Sequence, residues 1–324
     1  MKKYKIANTD LQVSRIAYGC MGIGGSWDDE SLTEKTITKA TDAVTTALEN
    51  GINFFDHADI YTKGKSELVF GKILKQNKSL RDKIIIQSKC GIRFKGLPNP
   101  NSPGRYDFSY EHIIDSVNNS LSRLGIEQLD ILLLHRPDPL MQPEEVARAF
   151  DELRSTGKVN YFGVSNFNGN QMSLLQNSLN QPIVVNQIEI SLLHHHVIND
   201  GILANQTSGK YAAATGILDY CMLNKIQVQA WSPVAVGKIF NPSLDADMRI
   251  INLAKQIEIY AEEKETSKEA IALAWLLKHP AGIQPVIGTT NPERILNSTL
   301  ADKVELSREE WYTLFTIARG HAVP

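Results

Sequence analysis

The chain has 324 residues, 42% of them hydrophobic and 22% charged, an ordinary globular balance. Lys and Arg number 34 against 36 Asp and Glu, a net charge of −2, which argues against a nucleic-acid surface or a polybasic membrane patch, both of which need local positive excess. No stretch reaches the roughly 20 apolar residues of a membrane helix, and the three cysteines, Cys20, Cys90 and Cys221, are odd in number and far apart, as in a chain kept reduced.

The opening MKKYKIANTD has no apolar run of the signal-peptide kind, so cytoplasmic residence is the expectation. Residues 2 to about 14 read as a hairpin. From there short apolar runs rich in β-branched residues recur: RIAYG (15–19), NFFD (53–56), KIIIQSK (83–89), LDILLLH (129–135), VNYFGVS (159–165), IVVNQIE (183–189), QVQAW (227–231) and IQPVIG (283–288). Most are apolar on both faces, as strands of a parallel sheet buried between layers should be.

Helical patterns alternate with these strands. Ile37, Ala40, Val44, Ala47 and Leu48 recur at steps of three and four, as do Ile113, Val117, Leu121 and Leu124. Pro143 stands where a first helical turn tolerates proline, ahead of Val146, Ala149, Phe150 and Leu153, and Gly157 follows that helix. Asn291, Pro292 and Glu293 read as an N-cap with its first turn. Eight strand–helix units predict a (β/α)8 TIM barrel, a single domain over 1–324, with the segment from about 304 forming a last helix and tail near the mouth. A doubly wound dinucleotide fold is disfavoured, because the glycine-rich CMGIGG (20–25) lacks the G-x-G-x-x-G spacing and opens no helix.

In such a barrel the active site lies where the strands end. The second strand ends at Asp56, with Tyr61 five residues on; the third ends at Lys89 and the fourth at His135. A free tyrosine, with a pKa of about 10, is a weak acid near neutrality. A neighbouring ammonium favours its phenolate, a carboxylate holds that ammonium, and a neutral imidazole can donate to the same carbonyl oxygen. The set suits negative charge growing on oxygen while hydride reaches carbon, and no side chain supplies hydride, so a cofactor is implied.

These residues resemble the aldo-keto reductase family, from Ile16 to about Arg294. FFDHADIY is similar to the family's F-D-T-A-x-x-Y, SKCG to its S-K strand end, LDILLLHRPD to D-L-x-L-x-H-x-P, GKVNYFGVSNF (157–167) to G-K-x-R-x-I-G-V-S-N-F, and VVNQIEIS (184–191) to N-Q-V-E-x-x. The form of DHADIY and HRPDPLM is most similar to a bacterial, monomer-type branch. The resemblance implies Tyr61 as general acid with Asp56, Lys89 and His135 completing a tetrad. It implies Ser165, Asn166 and Gln187 on the nicotinamide carboxamide and Trp231 stacked on the ring, where the family usually has Tyr. Ser232, Gly237 and Lys238 would wrap the pyrophosphate, Gly19 would lie at the cofactor, and PVIGTTNPERI (285–295) would hold the adenosine end, Thr289 and Arg294 meeting the 2′-phosphate. Many family members carry a lysine where this chain has Gly288, which leaves Arg294 and Thr289 to hold the 2′-phosphate; a guanidinium is a good phosphate partner, so NADPH is the implied cofactor with NADH also open.

The implied partner is a small-molecule carbonyl substrate, with no nucleic acid and no membrane, and the protein a monomer or weak oligomer. Two other readings stand beside this one: a cofactor-binding regulatory subunit with little turnover, and a metal-dependent hydrolase on the same barrel. His194–His196 invites the latter, but no second histidine pair or first-strand H-x-H accompanies it, so loop histidines and no metal are expected. Cys20 and Cys90, beside the expected pocket, read as small packing residues. The turn-rich loops 93–108 and 194–216 are long enough to hang over the mouth with Trp27 as substrate lids.

Overall fold

The computed structural model describes residues 1–203, 216–243 and 245–324. Eight parallel strands close into a barrel: β1 (Ala17–Gly19), β2 (Phe54–Asp56), β3 (Ile85–Cys90), β4 (Leu129–Leu134), β5 (Val159–Ser165), β6 (Ile183–Glu189), β7 (Gln227–Trp231) and β8 (Gln284–Ile287). Each pairs with its sequence neighbour, and β8 returns to β1 through Val286 opposite Ala17 and Ile287 opposite Tyr18. All eight expected strands are therefore present, and the expected barrel is the observed one.

Strand alternation divides the core in two. Outward-facing Phe55, Ile86, Leu132 and Phe162 meet the helices in the larger cluster. Helices α1 (Glu34–Glu49), α2 (Lys65–Gln76), α3 (Tyr110–Leu124) and α4 (Pro143–Ser155) cover β1 to β5. Phe150 of α4 stacks on Phe162 of β5 with centroids 4.0 Å apart, and burying each such ring contributes about 2 kcal/mol. Inward-facing Phe54, Ile131, Leu133, Val185 and Val286 fill the lower barrel against Ile6, Leu11 and Val13 of the hairpin formed by Lys3–Lys5 and Gln12–Ser14. That hairpin plugs the barrel bottom. Ser14 N–H donates to Asn53 Oδ1 at 2.7 Å, pinning it below β2.

Local signals explain the helix ends. Thr33 accepts from Thr36 N–H, Ser109 from His112 N–H, and Asn168 forms a reciprocal capping box with Gln171 ahead of α5 (Gly169–Gln176). Pro143 occupies the first turn of α4, and Asn291 caps α10 (Pro292–Thr299), as their sequences indicate. Helix α6 (His196–Leu203) and helix α7 (Ile217–Leu223) lie between β6 and β7, while α8 (Met248–Glu263) and α9 (Lys268–Leu277) lie between β7 and β8. Helix α11 (Arg308–Arg319) is the expected last helix; its Trp311 stacks on Trp275 of α9 at 5.2 Å, and its Phe315 lies 5.5 Å from His195 just past β6.

The connection after β3 is more ordered than its turn-rich sequence indicates: Ile92–Arg93 pairs with Arg105–Tyr106 in a two-stranded ribbon. Two-residue strands are too short for alternation to register. Arg93 pairs with Asp107 at its base, and Phe94 meets Trp27 edge-on at 6.5 Å, joining the loops after β3 and β1. Of the second expected lid, residues 204–215 lie outside the described residues. Among the described residues no helix is long and apolar enough to cross a membrane.

Candidate active site

Strand β2 turns Phe54 inward, Phe55 outward and Asp56 inward, so its last residue delivers a carboxylate to the top of the barrel interior. Strand β3 does the same with Lys89, which is 1% exposed beside Asp56 at 2%. Tyr61 comes from the 3-10 turn Tyr61–Gly64, where Thr62 (φ 47°) and Lys63 (φ 57°) take the left-handed conformation before α2 begins. Two successive non-glycine residues there cost of order 1–3 kcal/mol each, an expense found where geometry serves a site. His135 stands one residue past β4, its N–H donating to Cys90 carbonyl at 2.9 Å.

The four converge. Lys89 Nζ donates to Asp56 Oδ2 at 2.7 Å, to Tyr61 OH at 2.8 Å and to the His57 carbonyl at 2.9 Å, using all three ammonium hydrogens. The same Nζ lies 4.7 Å from the Tyr61 ring centroid, and the His135 ring meets Tyr61 edge-on at 5.8 Å.

Burial and charge set the protonation states. Burial pushes the Tyr61 phenol above its ordinary value, and Lys89 offsets that rise without reversing it. The sequence logic names the ammonium's pull and omits desolvation, which is the larger effect here. Burial alone would lower Lys89, but Asp56 and Tyr61 outweigh it and hold the ammonium above its usual range. His135 falls well below the usual imidazole value through burial, then Lys89 and Arg136, so the ring is neutral near pH 7.

Beneath this cluster lies a buried polar column absent from the sequence expectations. Gln87 Nε2 donates to Asp56 Oδ1 at 2.6 Å and to Gln229 Oε1 at 2.9 Å. Gln187 Nε2 donates to the same two oxygens, each at 3.0 Å. Gln229 Nε2 donates to Gln284 Oε1 at 2.9 Å, and Gln284 Nε2 to the Ser14 carbonyl at 2.7 Å. The available signal is period two: Gln87 and Gln229 stand two residues before Lys89 and Trp231 and so share a strand face with them. Outside the barrel wall a second buried group comprises His57, Glu67 and Ser88, with Ser88 donating to Glu67 Oε1 and Arg123 to Glu67 Oε2, both at 2.7 Å. Burial and then Glu67 push nearby Asp59 up to about 7.

The residues expected at a cofactor lie around the same rim, over β5 to β8. Asn166, left-handed at φ 64°, has Nδ2 within 2.9 Å of Ser165 Oγ, and its Oδ1 accepts from Trp231 Nε1 at 3.1 Å. Gln187 faces the barrel interior, its amide nitrogen committed to Asp56 and Gln229. Ser232 (φ 52°) and Gly237 (φ 81°) lie in a loop where Ala235 and Val236 are also left-handed, and Lys238 beyond it is exposed. Thr289 Oγ1 accepts from Asn291 N–H at 3.2 Å, beside exposed Arg294. A side chain at Gly19 would meet Val286 Cγ1 at 3.1 Å and the Ile287 carbonyl at 3.3 Å, so its bareness serves the close β1–β8 approach. At Gly237 and Gly288 a side chain would meet nothing within 4 Å. A partly exposed indole, the Ser165 and Asn166 side chains beside it, a left-handed backbone loop and a capped helix start fit the ring, pyrophosphate and phosphate of a nicotinamide cofactor.

Arg136, unremarked in the sequence, places its guanidinium 5.5 Å over the Trp231 ring and forms no ion pair with any described residue. His194 Nδ1 lies 3.7 Å from Glu189 Oε2, and among the described residues no three His, Cys, Asp or Glu side chains are placed to hold a metal ion. Cys20 and Cys90 are buried in the outer core, and burial raises both thiols well above their ordinary value.

Known proteins share this architecture. An "Uncharacterized oxidoreductase YcsN" of Bacillus subtilis is 35% identical over 325 residues, covering 100% of both chains. A "6-dehydroglucose reductase" of Agrobacterium fabrum is 37% identical over 321 residues, 98% of this chain and 99% of that one. The glycerol dehydrogenase of Gluconobacter oxydans superimposes with a TM-score of 0.83 at 23% identity, over 99% of this chain and 96% of its own, a likeness of fold. The sequence profile of the Aldo/keto reductase family matches residues 15–318, and the chain belongs to that family of oxidoreductases.

Proposed function

We propose that this protein is an NADPH-dependent reductase of small polar aldehydes, acting as one domain over 1–324, in the cytoplasm, as a monomer or weak oligomer. The observation that carries the reading is the triple engagement of Lys89 Nζ with Asp56, Tyr61 and the His57 carbonyl, all within 2.9 Å. Ser165, Asn166 and Trp231 would hold a nicotinamide cofactor, which would supply hydride for a carbonyl carbon. Tyr61 then gives its phenolic proton to the oxygen that receives the C=O electron pair. Lys89 stabilises the phenolate left behind, Asp56 keeps Lys89 charged, and neutral His135 donates to the same oxygen and orients it.

Thr289 and Arg294 take the 2′-phosphate, since a guanidinium can hold it with two hydrogen bonds. Trp27 and Phe94 wall the mouth. Arg136, over the Trp231 ring and without an ion pair among the described residues, supplies donors for substrate hydroxyl or anionic oxygens. A sugar-derived aldehyde meets those requirements, and the Agrobacterium fabrum relative is named for reducing 6-dehydroglucose.

The test is a screen of NADPH oxidation over sugar-derived, pyridoxal-like, dicarbonyl and simple aldehydes, repeated with NADH and with Tyr61→Phe. Tyr61→Phe should bind NADPH as the native protein does while kcat falls by about 10²-fold or more. Retained kcat in that variant removes Tyr61 as the acid, and an idle native protein across the panel removes the reductase reading.

A further inference from the structure

We propose that Gln87, Gln187, Gln229 and Gln284 form an orientation relay, anchored on the main-chain carbonyl of Ser14 at the barrel bottom, that fixes the donors on Asp56 and thereby positions Lys89 and Tyr61. Gln87, Gln229 and Gln284 are 0% exposed and Gln187 is 2% exposed, so water cannot substitute for a lost partner. The functional consequence rests on the reductase reading above; the geometry does not.

Polarity is the core of the matter. A primary amide offers two N–H hydrogens on one atom and lone pairs on the other, and it can point either way unless a neighbour decides. The Ser14 carbonyl can only accept, so Gln284 must present Nε2 to it, at 2.7 Å. Gln284 Oε1 therefore faces Gln229, which must answer with Nε2, at 2.9 Å. Gln229 Oε1 is thereby aimed at Gln87 and Gln187, and it accepts from both, at 2.9 and 3.0 Å. Each of those amides has one N–H left, and both go to Asp56 Oδ1, at 2.6 and 3.0 Å.

The polarity demanded from below by a backbone carbonyl matches the polarity demanded from above by a carboxylate, and every link satisfies both. The arrangement even tolerates a cost, because Gln87 Oε1 is buried with no hydrogen-bond partner among the described residues. Turning that amide over would give the oxygen nothing and set it against Asp56. With Oδ1 taken by two neutral donors, Oδ2 is left for Lys89 alone, at 2.7 Å, which leaves another ammonium hydrogen for Tyr61 OH at 2.8 Å. The glutamines touch no reacting atom, so they are positioning residues. They also tie the N-terminal hairpin to the chemistry through Ser14, which a plug that merely fills the barrel would not do.

If Gln229 is lost, two buried N–H groups lose their acceptor and both amides are free to turn. Fewer donors on Asp56 leave its charge concentrated near Tyr61 and draw the Lys89 proton toward the carboxylate. Each change disfavours the phenolate.

The test compares the native protein with Gln229→Met and Gln284→Met, near-isosteric changes that leave the tetrad in place. The readouts are kcat and KM separately, NADPH affinity by fluorescence, and the alkaline titration of the Tyr61 phenol, taken as each protein's difference spectrum against its own Tyr61→Phe version. Gln229→Met should lower kcat by about three- to tenfold, the size of one weakened charge-assisted hydrogen bond, with KM and NADPH affinity near native. The Tyr61 midpoint should rise by roughly half a unit to one unit, the same fold-change in its ionisation. Gln284→Met should move both quantities the same way by less, and it stands in should Gln229→Met fail to fold. Folded variants with native kcat and a native Tyr61 midpoint overturn the relay, even with a lowered Tm, since that is what packing alone would give. The phenol titration needs no turnover: if the native protein reduces no carbonyl, the reductase reading falls while the titration still decides the relay.

Discussion

Replacing Lys89 with methionine should separate the structural from the chemical role of the buried ammonium. The side chains of Lys89 and Asp56 are 1% and 3% exposed, and their 2.7 Å pair is the most deeply buried of the ion pairs among the described residues. Taking away one partner leaves a lone buried charge, which costs about 3–5 kcal/mol, a fall in Tm of roughly 4–7 °C for a chain of this size. The sign of the pH dependence follows from the raised Lys89 value: the pair's stabilisation is complete below the ordinary lysine value of 10.5 and is lost only as pH rises through the higher folded one. The native protein should show no loss from this source between pH 5 and 8. In Lys89→Met the stranded carboxylate can shed its charge only by binding a proton, so the variant's deficit should shrink from pH 8 to pH 5. Paired Asp56→Asn and Lys89→Met changes should recover much of the loss. Chemically, kcat should fall by about 10²- to 10⁴-fold while NADPH still binds. Thermal melts across pH and steady-state NADPH oxidation read both. A stability deficit that is flat with pH, or a kcat near native, would refute the reasoning.

Arg294→Ala should raise KM for NADPH by about tenfold and leave KM for NADH unchanged, the loss of one charged phosphate contact; equal native KM values for the two cofactors would remove the 2′-phosphate assignment. Asp59, pushed up to about 7 by burial and then Glu67, carries a penalty that is absent below the ordinary value of 3.8 and grows as pH rises toward 7. Asp59→Asn should therefore raise Tm at pH 8, by the equivalent of about 2–4 kcal/mol, and hardly at pH 4; the reverse order would place the charge elsewhere. His57, depressed by burial and then Lys89 to about 3, must bind a proton on unfolding, so stability should fall as pH drops from 6.5 toward 3. His57→Asn should flatten that limb of the Tm–pH curve.

The eight strands and the position of the titratable groups are legible because they rest on local pattern: apolar runs of four to seven residues, three of which close on Asp56, Lys89 and His135, with Tyr61 in the turn after the first of these. What stayed hidden depends on partners distant in the chain. Gln229 meets Gln87 across 142 positions and Gln284 meets Ser14 across 270, and nothing local marks a glutamine in a strand as a link. The ribbon Ile92–Arg93 with Arg105–Tyr106 escaped notice because each strand is two residues long. The close approach of Val286 and Ile287 of the closing strand to Gly19 is another contact that exists only once the barrel is closed. Nothing local marks Arg136, because its meaning comes from Trp231, three strands further round the barrel.

The outward faces of the strands hold the inward faces in register. In β2 a slip of one residue would exchange Phe55 for Asp56, driving a carboxylate into the apolar layer and a ring into the barrel. Phe55 opposes that exchange: it packs 5.2 Å from Phe70 of α2 and 5.9 Å from Tyr18 of β1. Losing such a ring costs about 3–5 kcal/mol, comparable with stranding the charge of Lys89. The 2.7 Å contact between Lys89 and Asp56 is thus set from both sides of one short strand. The outer core fixes which residue points inward, and the glutamine column fixes how its carboxylate is turned.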